Sequence, residues 1–337
     1  MSKVKKKNKM GKSAVTRTVM GILLAILIVY ALALILSMLW GFMTSLKSPQ
    51  EFTDLDFRNV MGLPYGSKKE PNTFGEGFSL FDNYANIFKG LQYTREEIFY
   101  RGGTEVVHRA QEVTLLGMLG NTLLYTLGGA LIYALMPAFT AYLCAKYDEF
   151  KLSGILYVVY IFMMCMPIVG SQPAELTFLR NIGIYDTIWG NYIQKMTGSG
   201  MYFFVYFAYF KGVSNTYREA AELDGASQFT IMVRIYAPLA IKMIATVFLI
   251  QFVTLWNDYQ TPLLYLPTHP TLAFGVYWLA NLNTVPGSVG EEMRKLGFNE
   301  TPVKIAGYMM LAIPITVFFI IFKDKLMGDV SLGGIKE

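Results

Sequence analysis

The residues best suited to chemistry lie in a short polar stretch between two apolar runs, YREAAELDGASQFTIMVRIYAPL at residues 217–239. Glu219 offers a charge that a basic group of another protein can pair, and Ala220 and Ala221 let a helix backbone approach a neighbouring surface closely. This combination suits docking into a groove. Taken alone, the pattern fits equally well an amphipathic hairpin that holds Phe229 and the apolar side chains near it in lipid.

The same stretch carries signals for two short helices joined by a tight turn. Ser214 or Asn215 can accept hydrogen bonds from the first exposed amides of a helix. Gly225 can end that helix because glycine tolerates a positive φ. Ser227 can cap a second helix, which Pro238 is expected to end at the entry to the next apolar run.

Catalytic and metal-binding patterns are missing from the sequence. His108 and His269 are its two histidines, and no HExxH, CxxC or GxSxG pattern occurs. Zinc sites and serine-elbow mechanisms therefore lack their parts. The tripeptide GKS at residues 11–13 resembles the end of a phosphate loop, but Lys6 replaces the leading glycine and no strand precedes it. The sequence predicts no catalytic site, no metal site and no cofactor of its own.

The elements that must position the polar stretch are long apolar segments. The chain is 53% hydrophobic and 16% charged, and its apolar residues form long runs. Because a helix needs about 20 mainly apolar residues to span a bilayer, the pattern predicts an all-α integral membrane protein with six transmembrane helices. The six runs lie at residues 18–46, 113–145, 152–174, 196–210, 243–257 and 305–322, and the second run is interpreted as one long helix.

Basic residues set the predicted orientation. Residues 1–17 carry Lys and Arg but no acid. With six spans, the segments on the same side of the membrane as residues 1–17 hold more than half of the 29 Lys and Arg. The positive-inside bias therefore places both termini in the cytoplasm. The first run has no small-residue cleavage site, which favours an uncleaved helix. Beside such a helix, the basic tail favours anionic lipid over nucleic acid as its partner.

Five segments follow from this topology. Residues 1–17 form a basic cytoplasmic tail, residues 18–46 the first transmembrane helix and residues 47–112 an extracytoplasmic segment. Residues 113–323 form a core of five transmembrane helices, and residues 324–337 form the cytoplasmic C-terminal tail. The core includes a coupling loop at residues 212–240 and an extracytoplasmic loop at residues 258–304.

The polar stretch resembles the signature of the permease subunits of bacterial ABC importers. That signature reads E-A-A, three residues, G, and later I-x-x-P, and its positions here are Glu219, Ala220, Ala221, Gly225, Ile235 and Pro238. Tyr236 and Ala237 depart from the usual Ile-x-Leu-Pro ending. Further stretches, TSLKSPQEF, NTLLYT, IYDTIWG, WNDYQTPLLYL and GDVSLGGIKE, make the chain similar to carbohydrate-type permeases such as the smaller membrane subunit of the maltose transporter.

The resemblance implies a type I ABC importer permease architecture in the bacterial cytoplasmic membrane, with a cytoplasmic coupling helix-turn-helix. The implied partners are a second permease subunit in a heterodimer, two copies of an ATP-binding subunit and an extracytoplasmic solute-binding protein. The ATP-binding subunits bind ATP and Mg and carry out hydrolysis. Glu219 is then expected to pair a basic ATPase residue, Ala220 and Ala221 to permit close seating, and Asp224 and Gly225 to form the bend.

The resemblance also suggests residues that line the transport path. The fifth span lines it in family members, and Gln251, Thr254, Asn257 and Asp258 recur there at helical spacing, where they can offer hydrogen bonds to a polyol. Trp256 can stack on a sugar, although a place in an interfacial aromatic belt is favoured for it. Asn257 and Asn121 fit a path and helix packing equally well.

In the tail, Gly333, Gly334 and Lys336 are expected to reach the ATPases.

Three alternatives remain at this point. A permease of the same architecture for an amino acid, peptide or polyamine is disfavoured by the carbohydrate-type ending. An ion-coupled carrier is disfavoured because such carriers keep ionisable residues at mid-membrane, and the first, second, third and sixth runs have none in their interiors. A membrane enzyme is disfavoured by the small supply of histidine and cysteine.

Overall fold

The structure is a computed structural model, and it describes residues 14–53, 61–62, 80–101, 104–166, 170–196, 200–282 and 288–327. Gly333, Gly334 and Lys336 lie outside the described residues, as does most of the basic N-terminal tail, so the predicted contacts of both tails remain predictions.

Among the described residues, four helices are long and apolar enough to cross a membrane. They lie at Thr16–Ser45, Leu115–Lys146, Gln228–Trp256 and Thr301–Phe322. The full helices that contain the first, second and fourth of these are α1 (Ala14–Ser45), α4 (Leu115–Lys146) and α15 (Thr301–Met327). The expectation that residues 113–145 make one long helix is confirmed, since α4 runs without interruption through Pro137.

The described part of the chain also contains two apolar helices that are shorter than a bilayer span. Helix α5 covers Lys151–Cys165 and α8 covers Gly200–Gly212. The predicted third run of residues 152–174 is thus broken after α5, and its last residues belong to another helix. The shorter helices that connect the long ones are α2 (Pro49–Thr53), α3 (Asp82–Gly90), α6 (Gln172–Asn181), α7 (Ile188–Lys195), α12 (Gln260–Tyr265), α13 (Leu272–Ala280) and α14 (Ser288–Lys295).

A β-hairpin interrupts the expected all-α architecture. Strand β1 (Gln92–Arg101) pairs antiparallel with β2 (Thr104–Thr114), with an irregularity between Arg95 and Glu96. The all-α expectation is wrong for this hairpin, most of which lies in the predicted extracytoplasmic segment of residues 47–112. Strand β1 contains two Tyr, one Ile and one Phe, and β2 contains three Val; such residues favour extended structure. Strand β2 leads directly into α4, where Thr114 caps the helix.

The polar stretch folds as helix, turn and helix, but its second helix does not stop. Helix α9 covers Thr216–Leu223, and α10 (Gln228–Ile231) continues through a π-helical segment (Met232–Tyr236) into α11 (Ala237–Trp256). The expectation that Pro238 ends the second helix is wrong. Proline lacks the N–H of a normal helical bond, and the wider π turn just before it absorbs that defect while the chain stays helical.

Two apolar clusters form the core, one at each end of the long helices. One includes Tyr125, Leu255 and Trp256. The other includes Tyr142, Phe203 and Tyr236 and lies beside residues 212–240, which we call the polar loop. We call this end the polar-loop side and the other end the far side. Helix α4 contributes to both clusters and packs along α8 and α11.

Candidate coupling loop and transport path

The turn of the polar loop has the predicted glycine geometry. Gly225 has φ +76°, and the backbone N–H of Ala226 donates to the carbonyl of Ala221 at 2.9 Å. An added Cβ at Gly225 would meet no atom within 4 Å. A side chain there would therefore be penalised by backbone conformation and not by crowding.

The predicted helix caps are present with one exception. The Ser214 hydroxyl accepts from the Thr216 N–H at 3.2 Å, and the Ser227 hydroxyl accepts from the Thr230 N–H at 3.2 Å. The Asn215 side chain makes no capping bond, because its carbonyl oxygen accepts from Lys146 instead. Both helices of the loop thus begin at residues that local rules identify.

The polar loop presents a mixed apolar and acidic face. Glu219 and Ala220 are exposed, whereas Ala221 is buried in the chain's own core. Leu223 and Phe229 are the large apolar residues most exposed on this loop, at 89% and 71%. Leu223 is not among the residues predicted from the sequence, although an apolar residue at the end of a polar helix, directly before a turn, can indicate a contact surface. Ile235 is half-buried and Pro238 is exposed.

The loop is fastened to the connection between α4 and α5. Lys146 is 2% exposed, and its Nζ donates to the Val213 carbonyl at 2.5 Å and to Asn215 Oδ1 at 2.9 Å. Arg218 of α9 donates to the Lys146 carbonyl, and its guanidinium lies 5.0 Å from the centre of the Tyr147 ring. Sequence reasoning missed these contacts, which join residues about 70 positions apart.

A more exposed ion pair lies beside this junction. Lys211 Nζ is 2.7 Å from Asp148 Oδ2, and both side chains are more than half exposed. The hydrogen bond and charge of Lys211 lower the pKa of Asp148. Pairs of this kind in water contribute little to stability.

The candidate path residues of α11 divide into two groups. Thr254 and Asn257 are exposed and Gln251 is half-buried. Thr254 and Asn257 also donate to carbonyls of their own helix at 2.9 and 3.0 Å, and their side-chain oxygens keep acceptor capacity. They share a stripe with Ile250, which is 44% exposed.

The other candidates face the interior of the chain. Trp256 is 6% exposed and its indole N–H donates to the Leu311 carbonyl at 3.0 Å, which places its ring in helix packing and in neither a path nor an aromatic belt. Asn121 donates to the Pro270 carbonyl at 3.1 Å. Asp258 accepts from the Tyr125 hydroxyl at 2.6 Å and from the Thr261 N–H at 3.1 Å.

Asp258 belongs to a polar cluster on the far side that the sequence analysis did not predict. We call it the Lys195 cluster. Lys195 is 4% exposed, and its Nζ donates to the Tyr125 hydroxyl at 3.2 Å. Burial lowers the pKa of Lys195 to about 8, against the opposing effects of Asp258 and Glu175. Glu175 accepts from Gln194 at 2.7 Å and from the Tyr265 hydroxyl at 3.0 Å.

In the described part of the chain, no group of three or more His, Cys, Asp or Glu side chains is arranged to hold a metal ion. Cys144 is buried and Cys165 is exposed, and both are free thiols.

Known proteins are similar to this chain in sequence and in fold. The family model described as "Binding-protein-dependent transport system inner membrane component" matches residues 137–322. The "Probable starch degradation products transport system permease protein AmyC" of Thermoanaerobacterium thermosulfurigenes is 24% identical over 79% of this chain and 89% of its own length. The "Trehalose transport system permease protein SugB" of Mycobacterium tuberculosis is 24% identical over 90% of this chain and 92% of its own length.

A solved structure has the same fold. It is a chain of a bacterial ABC transporter "involved in the import of the acidic polysaccharide alginate", with a TM-score of 0.67 and 20% sequence identity over 93% of this chain and 98% of that chain. The matched family region contains the whole polar loop and more than half of the described residues. The chain therefore belongs to the family of inner membrane components of binding-protein-dependent transport systems.

Proposed function

We propose that this chain is the permease subunit of an ATP-driven importer for oligosaccharides or related carbohydrates. It forms half of the translocation path and carries ATPase movement through the polar loop. The relatives that support the choice of solute are named as permeases for starch degradation products, trehalose and, at 27% identity in Streptococcus mutans, multiple sugars.

The observation that carries the coupling role is the build of the polar loop. Its turn is held by internal hydrogen bonds, its base is fastened to α4, and its outer face exposes Glu219 and Leu223. A surface that is held in one shape and is partly apolar and partly acidic suits close docking on another protein. Ala220 lies on that face and Gly225 sets the bend.

The proposed assembly contains four kinds of subunit in one complex. This chain pairs with a second, different permease, two ATP-binding subunits hold ATP and Mg beneath them, and a solute-binding protein delivers solute from outside. This chain has no catalytic site of its own in this proposal. Helix α1 supports the pairing, because its large apolar side chains between Val19 and Leu36 are at least half exposed and need lipid or another helix around them.

The proposed topology has six spans with both termini in the cytoplasm of a bacterium. The shorter helices α5 and α8 serve as spans beside the four long ones, supported by the stacking of Tyr160 on Phe203 at 3.9 Å. The basic segments then lie inside. The polar-loop side is cytoplasmic, and the far side with the β-hairpin is extracytoplasmic.

The proposed path runs along the exposed stripe of α11. Gln251, Thr254 and Asn257 offer hydrogen-bonding groups at helical spacing, which suits the hydroxyls of a sugar. In this proposal, Asp258 and Asn121 hold the far end of that helix in place through their hydrogen bonds within the chain. The C-terminal tail with Gly333, Gly334 and Lys336 is proposed to reach the ATP-binding subunits.

Uptake into proteoliposomes tests this function. The complex encoded with its neighbouring genes is reconstituted and supplied with the solute-binding protein and a labelled oligosaccharide mixture. We expect uptake that requires ATP on the cytoplasmic face and ceases without the ATP-binding subunits. Uptake by this chain alone under a sodium or proton gradient would contradict the proposal, and ATP-driven uptake of amino acids but not sugars would contradict its choice of solute.

A further inference from the structure

We propose that this protein binds one acyl chain of an anionic phospholipid in an apolar groove beside the polar loop. The groove, which we call the loop groove, lies between the last turns of α4, the first turns of α5 and the continuous helix that runs from α10 into α11. None of its lining residues belongs to the proposed path or is Glu219 or Leu223 of the docking face. The inference goes beyond the proposed function, and only the choice of the cytoplasmic leaflet rests on the proposed topology.

The loop groove consists of two adjoining cavities lined mainly by apolar side chains. The first, next to α5, has a volume of about 410 Å³, and the second, next to α11, has a volume of about 330 Å³. Both volumes lie in the range of small-ligand sites. Phe139, Tyr142 and Met232 line both cavities, so the two form one continuous groove. Because Met232 belongs to the polar loop, a bound acyl chain would contact the loop itself.

The length of the groove matches one leaflet of a bilayer. On the α4 side, its lining residues run from Tyr147, which directly follows α4, to Leu135. These positions lie about 18 Å apart at a rise of about 1.5 Å per residue. The hydrocarbon core of a bilayer is about 30 Å thick, so one leaflet is about 15 Å deep. The groove therefore runs from the polar-loop end of α4 to about the middle of the membrane.

The open side of the groove is apolar along its whole length. Leu135 and Phe139 lie in a helix long enough to cross the membrane, and more than two fifths of each side chain is exposed. At the polar-loop end, Phe150, Leu152 and Phe229 are each more than half exposed. Apolar side chains left open at membrane depth are suited to contact with lipid or with another apolar chain.

The shape of the groove favours an acyl chain over a protein helix. A helix is about 10 to 12 Å across with its side chains, so it can lie over cavities of this volume but cannot fill them. An acyl chain is a single file of methylene groups and can enter. At the polar-loop end, the Tyr147 hydroxyl donates to Gln228 and joins the two walls of the groove. This bond leaves the side of the groove, which faces the membrane, as its entrance.

The charges at the polar-loop end favour a lipid with an anionic headgroup. Lys151 lies between the lining residues Phe150 and Leu152, is exposed, and has no ion-pair partner among the described residues. Three acidic residues near it are already paired within the chain, Asp148 with Lys211, and Glu149 and Glu222 with Arg218. A lysine at the membrane surface attracts anionic lipid. Lys151 is therefore placed to hold the phosphate of a lipid whose acyl chain lies in the groove.

The test is photolabelling of the complete complex in phosphatidylcholine nanodiscs. The probe is a trace of phosphatidylglycerol with a diazirine near the end of one acyl chain, and a phosphatidylcholine with the same diazirine is compared with it. Labelled peptides are identified by mass spectrometry. We expect labelling within residues 135–156 and 228–244 to be about fivefold stronger from the phosphatidylglycerol, because one lysine at the membrane surface favours anionic lipid by about that factor.

One pair of variants tests whether the acyl chain occupies the groove. Leu156→Trp places an indole in the groove, whereas Ile155→Trp places the same side chain at an adjacent, exposed position that does not line it. We expect Leu156→Trp to lower labelling of the groove by about fivefold or more, since the added volume overfills the site. Ile155→Trp should leave the labelling unchanged.

A second pair of variants tests the headgroup. Lys151→Gln should remove the preference for phosphatidylglycerol and leave labelling equal to that from phosphatidylcholine. Arg234→Gln is its control, because it removes an exposed cation of the polar loop that does not line the groove. The control should keep the preference. Subunit ratios of the purified complexes show whether each variant has assembled.

Three results would overturn the inference. The first is equal labelling of the groove by the two lipids, or labelling that Leu156→Trp does not lower in an assembled complex. The second is an equal loss of preference in Lys151→Gln and Arg234→Gln, because the attraction would then come from the overall charge of this end. The third is a crosslink from a benzophenone amino acid at Phe150 to another subunit instead of to lipid. Uptake is not the readout, so each of these failures would leave the proposed function standing.

Discussion

The exposed face of the polar loop and the Lys195 cluster use charge in opposite ways. Glu219 stands in solvent beside the exposed Leu223, whereas Lys195 is 4% exposed and reaches Asp258 through the hydroxyl of Tyr125. A charge left outward beside apolar surface is available to another protein, while a charge buried among tyrosines and carboxylates is committed to contacts within its own chain. The difference teaches that the polar loop keeps a face open for contact, as the proposed docking requires, whereas the Lys195 cluster is internal.

The largest effect is expected from Asp258→Ala. This change leaves the Tyr125 hydroxyl without its acceptor and removes a carboxylate that favours the charged form of the buried Lys195. We expect the free energy of unfolding to fall by about 3 kcal/mol, in the range for removing one partner from a buried charged network.

Asn257→Ala is the control for this change, because Asn257 is next to Asp258 in the chain and its side chain is exposed. It should cost less than about 0.5 kcal/mol, as exposed substitutions usually do. Thermal unfolding of the complexes in nanodiscs compares the two variants, and equal losses of stability would break the contrast between an internal cluster and an exposed face.

The pH dependence of stability should show the buried lysine directly. The pKa of Lys195 is about 8 in the folded chain against 10.5 for an ordinary lysine. The folded chain therefore loses this proton at lower pH than the unfolded chain, and the free energy of unfolding gains about 2 kcal/mol from this group between pH 7 and pH 9.5.

Lys195→Met removes this contribution. Between the two pH values, the apparent melting temperature of the wild type should rise relative to that of the variant, because the wild type alone is relieved of a buried charge. A difference between the two proteins that stays constant with pH would contradict the burial of the charged group.

Gly225→Val tests the other half of the comparison, the turn of the polar loop. A β-branched residue at φ +76° costs about 1 to 2 kcal/mol of backbone strain, although the space around it is open. We expect coupled uptake to fall by about fivefold or more, because the bend no longer presents α9 correctly. Gly225→Asn is the control, since asparagine tolerates left-handed backbone better. Equal losses for valine and asparagine would show that backbone conformation is not the cause.

The smallest effect is expected from Glu219→Gln, which removes one exposed charge at constant shape. An exposed ion pair with an ATP-binding subunit contributes at most about 1 kcal/mol, so solute-stimulated ATP hydrolysis should fall by no more than about fivefold. The solute affinity of the separate binding protein should stay unchanged. A changed affinity would show that Glu219 acts in recognition and not in coupling.

The parts that sequence predicted are those governed by neighbouring residues. Gly225 in its turn and Ser227 as a helix cap follow from local backbone rules, and both predictions are confirmed. The Lys195 cluster depends on contacts between positions that are 70 to 133 residues apart, which no local rule reports. Pro238 shows the reverse case, because a local rule for helix ends was overridden by a π turn that keeps α11 continuous with the loop.

The most direct measurement of the central claim is photocrosslinking from the exposed face of the polar loop. A benzophenone amino acid at Leu223, which is 89% exposed, is compared with one at Leu116, which is 62% exposed at the far end of α4. In membranes that contain the complete complex, the account predicts a crosslink to the ATP-binding subunit from position 223 and none from position 116. Crosslinks from position 223 to lipid alone would contradict the account, because the polar loop would then lie on the membrane instead of on another protein.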